Sequence, residues 1–220
     1  MVVQKEAKAV PIYQLKVTLD GIRPPIWRRI QVRGDVFLFK LHRIIQAAMG
    51  WEDYHLHQFI VGEDYYAIPS TEDPWPMETK NEKRAKLFKV APAEKTKFIY
   101  EYDFGDSWYH EILVEKILPP RKEQEHALCL AGKRSRPPED CGGIGGYYEF
   151  LEAIRDPKHP EHEDMLDWAG GDFDPERFDM VEINRLLSKI LRAGFYGYFS
   201  VLMLSKSQHR AIVDRFLSKI

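Results

Sequence analysis

The residues best placed to do chemistry are His55, His57, Asp103 and His110. His55 and His57 stand two apart in HLHQF, and in a strand such a pair projects from one face and shares a ligand. Asp103 and His110 flank Gly105-Asp106, where glycine at the first central position predicts a two-residue type II′ hairpin turn. That turn would pair Phe104 with Ser107, Asp103 with Trp108, Tyr102 with Tyr109 and Glu101 with His110. One face of the ribbon would then carry Glu101, Asp103, Trp108 and His110, and the other Tyr100, Tyr102 and Tyr109. With the two strand regions adjacent, His55, His57, Asp103 and His110 would hold a divalent metal such as zinc, which polarises an oxygen and activates water. The competing reading makes these histidines hydrogen-bonded sheet residues beside aromatic partners.

Three further groups are candidates. The run CGGIGG (141–146) precedes a helix, so Gly142 and Gly143 are placed to present N–H groups to an anion, with Lys133, Arg134 and Arg136 upstream. The run lacks the ending of a phosphate loop, and glycine for tight packing is the plainer account. Arg28 falls among Ile26, Ile30 and Val32 on one strand face, either as a packed stem with a solvated head or as a binding arginine. Trp108 is a candidate for stacking on a ligand or base. Cys129 and Cys141 are separated by eleven intervening residues with no close cysteine pair, so zinc would need two more ligands, His159 and His162 being nearest. Asp172 and Asp174 resemble the start of a calcium loop without its later ligands, which favours a turn or cap role.

Elements must position these residues. Tyr13, Leu15, Val17 and Leu19 alternate with Gln14, Lys16 and Thr18, the pattern of a half-buried strand. A second strand is expected from Ile26 to Val32, after the break at Gly21–Pro25. Asp35 is the expected N-cap of a helix with Leu38, Leu41, Ile44, Ile45 and Ala48 inward, closed by Gly50. Strands follow from His55 to Val61 and from Tyr65, then a charged loop over 71–97 with one short element, then the Phe98–Leu118 hairpin. Helices are expected from near Tyr147, over Pro160–Trp168, over Met180–Arg192 and over Ser207–Ile220. This is an α+β chain, mainly antiparallel sheet with packed helices. A domain over 1–185 would be followed by a helical extension over 186–220, through which a homodimer would form.

Composition sets bounds. With 44% hydrophobic and 30% charged residues the chain is an ordinary globular sequence of 220 residues. That length needs neither metal nor disulfide to complete a core. Two cysteines and a charged N-terminal decapeptide point to the cytoplasm. The apolar stretch Ala193–Leu204 is too short for a membrane span. The net charge of −2 hides an asymmetry: about 14 acidic and 3 basic residues lie between Glu139 and Glu182, leaving a basic body.

Five strings carry a family resemblance: IRPPIWRRIQV (22–32), LHRIIQAAMGW (41–51), HLHQF (55–59), YEYDFGDSWYHEI (100–112) and RPPEDCGG (136–143). In this order they resemble the plasmid pRiA ORF-three-like proteins, over roughly residues 12 to 185. The resemblance implies an α+β roll-like fold and a mobile-element setting, since members travel with transposable elements under a TnpR-like label. It implies no known activity. Where family members often carry a further cysteine just before PPEDCGG, this chain has Ser135-Arg136. No segment shows the serine among arginines that a resolvase would need. The leading function is a non-enzymatic accessory module binding nucleic acid or a partner protein; the alternative is a metal-dependent hydrolase or nuclease at the His/Asp cluster.

Overall fold

A computed structural model describes residues 9–69, 79–121 and 127–190. Eight strands form one sheet in the order β5-β4-β3-β6-β7-β1-β2-β8. The strands are β1 Ile12–Leu19, β2 Trp27–Arg33, β3 His57–Val61, β4 Asp64–Ala67, β5 Lys80–Asn81, β6 Lys97–Tyr102, β7 Trp108–Leu118 and β8 Leu128–Lys133. All neighbours are antiparallel except β4 and β5. The α+β class expected from the sequence is therefore the class observed.

The alternation in β1 does what period two requires. Tyr13, Leu15, Val17 and Leu19 are buried, while Gln14, Lys16 and Thr18 keep partial exposure on the other face. There Arg29 and Gln14 both bind the Glu115 carboxylate, a ladder of polar cross-strand neighbours. Five helices complete the described chain: α1 Leu38–Met49, α2 Leu87–Val90, α3 Gly143–Arg155, α4 His162–Trp168 and α5 Met180–Ile190. Helix α1 packs on β2 and α5, α5 also meets β8, and α3 packs on α4. None of the described helices is long and apolar enough to cross a membrane.

Helix α1 buries Leu38, Leu41, Ile44, Ile45 and Ala48 and ends on Gly50, which takes the left-handed conformation at φ 97°. Its start departs from expectation. Asp35 does not cap it: its carboxylate is held by Arg33, and Phe37 occupies the cap position with no side-chain bond. The N–H of Leu38 donates to the Ala85 carbonyl instead, so a neighbouring chain segment does the work of a cap.

The hairpin departs further. Tyr102 pairs with Trp108, Glu101 with Tyr109 and Tyr100 with His110. The connection is a five-residue loop, Asp103–Ser107, closed by Ser107 N–H on the Asp103 carbonyl at 2.6 Å and by Gly105 N–H on Asp103 Oδ1 at 2.9 Å. Asp103 and Ser107 take φ of 59° and 53°. A one-residue change of register carries every side chain to the opposite face. Trp108 and His110 consequently lie with Tyr100 and Tyr102 in the core, and Tyr109 faces outward.

The boundary expected at 185/186 falls inside α5. The helix expected over Ser207–Ile220, and the dimer contact placed on it, lie outside the described residues.

Candidate metal centre

Three loops meet at one end of the sheet: the α1–β3 connection, the β6–β7 loop and the segment leading into α3. They are tied by main-chain bonds. Asp103 N–H donates to the Leu56 carbonyl at 2.9 Å, Glu52 N–H to Glu139 Oε1 at 2.7 Å, and Gly142 N–H to Asp106 Oδ2 at 3.2 Å. Each loop delivers one or two chemically active side chains to a common point.

That point is His55 Nε2. Asp140 Oδ1 stands 3.2 Å from it, Asp103 Oδ2 3.7 Å and Glu139 Oε2 3.9 Å. The ligand atoms of His55, Asp103 and Asp140 all lie within 4.8 Å of one another. His55 Nε2 and Glu139 Oε2 are both buried without a hydrogen-bond partner, a condition that buried polar atoms seldom tolerate. The Glu139 and Asp103 side chains are each only 9% exposed, whereas Asp140 is 69% exposed and opens the cluster to solvent. Burial raises the Glu139 carboxyl above its ordinary range, against the pull of Arg136.

Supporting bonds hold the set. Tyr102 O–H donates to Glu139 Oε1 at 3.3 Å and accepts from Tyr54 N–H at 3.1 Å. Asp103 Oδ1 is occupied by Gly105 N–H, which leaves Oδ2 to face His55. Ligand atoms around a cation at bond lengths of roughly 2.1 Å are about 3.0–3.4 Å apart in octahedral or tetrahedral geometry. The 3.2–3.9 Å separations of the three carboxylates from His55 Nε2 approach those edges, and the His55, Asp103 and Asp140 atoms span up to 4.8 Å. One imidazole and three carboxylates suit Zn²⁺, Mn²⁺ or Fe²⁺.

Of the four residues that the sequence grouped, His55 and Asp103 come together; His57 and His110 are elsewhere. His55 precedes β3 rather than lying in it, so the two-residue spacing does not place both imidazoles on one strand face. His57 stacks on His42, ring centroids 3.5 Å apart, and its Nε2 meets Glu82 Oε2 at 3.0 Å. His42 in turn bonds Tyr100 and Asp53. His110 is fully buried: it accepts from Trp51 Nε1–H on Nε2 at 3.0 Å, which leaves Nδ1–H to donate to the Tyr100 carbonyl at 3.2 Å. Burial holds that imidazole down at about 4, in the neutral form.

Trp108, Arg134, Lys133, Gly142 and Gly143 resolve into structural roles or surface positions, whereas Arg28 lines a cleft. Trp108 is buried against Trp51 and offers no surface for stacking. Arg134 is buried, with Nη1 on the Pro24 carbonyl and Nε 2.7 Å from Glu176. Lys133 is exposed at the end of β8. Gly142 spends its N–H on the protein's own Asp106. A Cβ on Gly143 would come within 3.0 Å of the Asp106 carbonyl, so the glycine run packs a loop rather than cradling an external anion. Cys129 and Cys141 are free thiols, and the metal-binding group found among the described residues contains neither.

Asp140, which joins His55 and Asp103, and Glu139 beside them were not among the candidates read from the sequence. The visible signal was two adjacent carboxylates ahead of the glycine run, in one of the five familiar strings.

The model of the plasmid pRiA4b ORF-3-like proteins matches residues 11–182. This chain belongs to that family. A curated relative, the uncharacterized protein y4hQ of Sinorhizobium fredii, is 35% identical over 181 residues, covering 81% of this chain and 92% of that protein. The crystal structure of MM3350 from Methanosarcina mazei Go1, a protein of unknown function, superposes with a TM-score of 0.69. It is 42% identical and covers 78% of this chain and 97% of its own. The matched region of the family includes His55, Asp103, Glu139 and Asp140.

Proposed function

We propose that this protein is a divalent-metal protein whose centre is His55, Asp103, Glu139 and Asp140, with a hydrolase-type arrangement. One observation carries the reading: two buried atoms without hydrogen-bond partners, His55 Nε2 and Glu139 Oε2, face each other 3.9 Å apart with two further carboxylates beside them. A cation would satisfy both atoms and balance the carboxylates. The exposure of Asp140 supports a centre open on one side, as reactive centres are, rather than closed like a structural one.

A bound divalent ion would supply Lewis acidity and an activated water. The chain's own part is positional. The Asx-type bond inside the 103–107 loop aims Asp103, and Tyr102 with Glu52 N–H fixes the Glu139 carboxylate. The nucleic-acid reading drew on exposed aromatics and loses Trp108 to the core. A cytoplasmic setting belongs to the same proposal, supported by two free thiols.

Tag-free protein stripped with EDTA and titrated calorimetrically with Mn²⁺ or Zn²⁺ tests the centre. One equivalent should bind, and at a hundredfold excess over Kd stability should rise by about 2.7 kcal/mol. Asp103→Asn, which keeps the acceptor for Gly105 N–H, should abolish that gain. Equal metal response in wild type and variant would reject the site. Turnover of bis-(p-nitrophenyl) phosphate or p-nitrophenyl acetate by loaded protein tests the hydrolytic part separately.

A further inference from the structure

Glu139 also lines a cleft of about 450 Å³, between the end of α1, helices α4 and α5, and the segment leading into α3. That volume suits a small molecule. Arg28 contributes to its lining while only 3% exposed. Its guanidinium sends Nε–H to the Ala48 carbonyl, Nη1 to Trp27 and Lys133, and Nη2 to Arg134, all at 2.8–2.9 Å. A guanidinium has five N–H groups, and these bonds use four. Every one of these acceptors is a neutral carbonyl, and among the described residues no carboxylate pairs with this arginine. Buried charges are ordinarily paired. Burial lowers the Arg28 pKa to about 10, the cost of an unneutralised cation.

The surroundings of Arg28 are consistent with a missing counter-charge. Phe178 lies over the guanidinium at 5.0 Å. Arg136 and Arg177 stand on the cleft walls together with Glu52, Glu139, Asp179 and Glu182; Arg136 is 3.2 Å from Glu52 and Arg177 is 3.6 Å from Glu182, while none of the four carboxylates is bonded to Arg28. Trp168 and Phe173 add apolar wall.

We propose that this cleft binds a small organic anion. Its carboxylate or phosphate head would neutralise Arg28, the arginine of the cleft without a carboxylate partner, and its flat apolar body would lie against Trp168, Phe173 and Phe178. This goes beyond the metal reading and does not depend on it, although Glu139 forms a wall of one site and a ligand of the other.

The test uses full-length, EDTA-treated protein titrated calorimetrically with phenyl phosphate, phenylacetate and, as the neutral control, benzyl alcohol. At least one anion should saturate one site at least about tenfold more tightly than benzyl alcohol, and weaken as salt rises. The tighter of the two anions identifies the head group. Arg177→Gln, an exposed position, should weaken the anion about fivefold and leave benzyl alcohol unchanged. Arg28→Lys keeps the charge but loses the fork, and should weaken it about tenfold. If Arg28→Lys does not fold, Arg177→Gln and the salt series decide. Asp103→Asn should bind the anion as wild type does, which separates this result from the fate of the metal centre. No saturation by either anion up to about 10 mM, or benzyl alcohol binding equally well, would overturn the proposal.

Discussion

Two clusters of imidazole and carboxylate lie a few residues apart along the chain and have opposite characters. In the inner one, His42 and His57 stack face to face. His42 Nδ1 meets the Tyr100 hydroxyl, His42 Nε2 meets Asp53, and His57 Nε2 meets Glu82. The Asp53 carboxylate can only accept, so His42 Nε2–H donates to it, and Nδ1 of the neutral ring accepts from the Tyr100 hydroxyl, whose oxygen takes a bond from Gln46. Donor meets acceptor at each of these contacts. In the outer cluster three carboxylate oxygens surround one ring nitrogen, and no hydrogen bond forms between them and it. The inner cluster has one loose end, Glu82 Oε1, but that residue is fully buried and no exposed side chain opens a route to it. Identical residue types thus serve packing where they are matched, and ligand capture where the acceptors converge at a solvent-facing rim.

The sharpest way to break this contrast is to remove Glu82. Glu82→Ala strands His57 in the interior and should cost about 4 kcal/mol in urea denaturation, with or without metal. A loss that metal restores would mean the two clusters are one site.

A second effect, driven by pH, is confined to the interior. Burial, with the neighbouring His57, holds His42 at about 4, and burial holds His110 there too, against an ordinary 6.5. The unfolded chain therefore takes up protons first as pH falls. Stability is full above about 6.5 and is lost between there and about 4. The slope is up to about 1.4 kcal/mol per pH unit for each imidazole. Urea midpoints of the metal-free protein from pH 7.5 to 4 should show it, and a flat profile would mean these imidazoles are not held neutral.

The smallest expected effect sharpens the other half. Asp140→Asn alters an exposed carboxylate, so metal-free stability should move by no more than about 0.5 kcal/mol. Its metal affinity should nevertheless fall measurably in the titration that defines the centre. A large metal-free change would make Asp140 a structural residue.

How much of this was legible beforehand depended on the range of the interaction. The alternation of β1 and the apolar stripe of α1 announce themselves because period and burial are local properties. Gly50 marks the end of α1 for the same reason. Asp35 misled because an N-cap motif was satisfied elsewhere, by an Ala85 carbonyl fifty residues away. Gly105-Asp106 misled because Gly105 N–H on Asp103 Oδ1 and Ser107 N–H on the Asp103 carbonyl close a five-residue connection, three residues longer than the dipeptide turn. For the site, the resemblance marked three of the strings that build it, and His55 and Asp103 stood in two of them. Glu139 and Asp140 stand in the third, RPPEDCGG, and in the acidic segment, with no sign of where they point.

The amino-acid order alone settled the class of fold, the strands and helices with strong periodicity, and the availability of imidazole and carboxylate groups. The tertiary structure alone decided which of them meet. A single residue of register sends His110 beneath Tyr100 instead of toward Asp103, and three loops distant in sequence bring Glu139 and Asp140 to His55. Periodicity is written residue by residue, whereas convergence depends on how separate segments pack, and no local pattern encodes that.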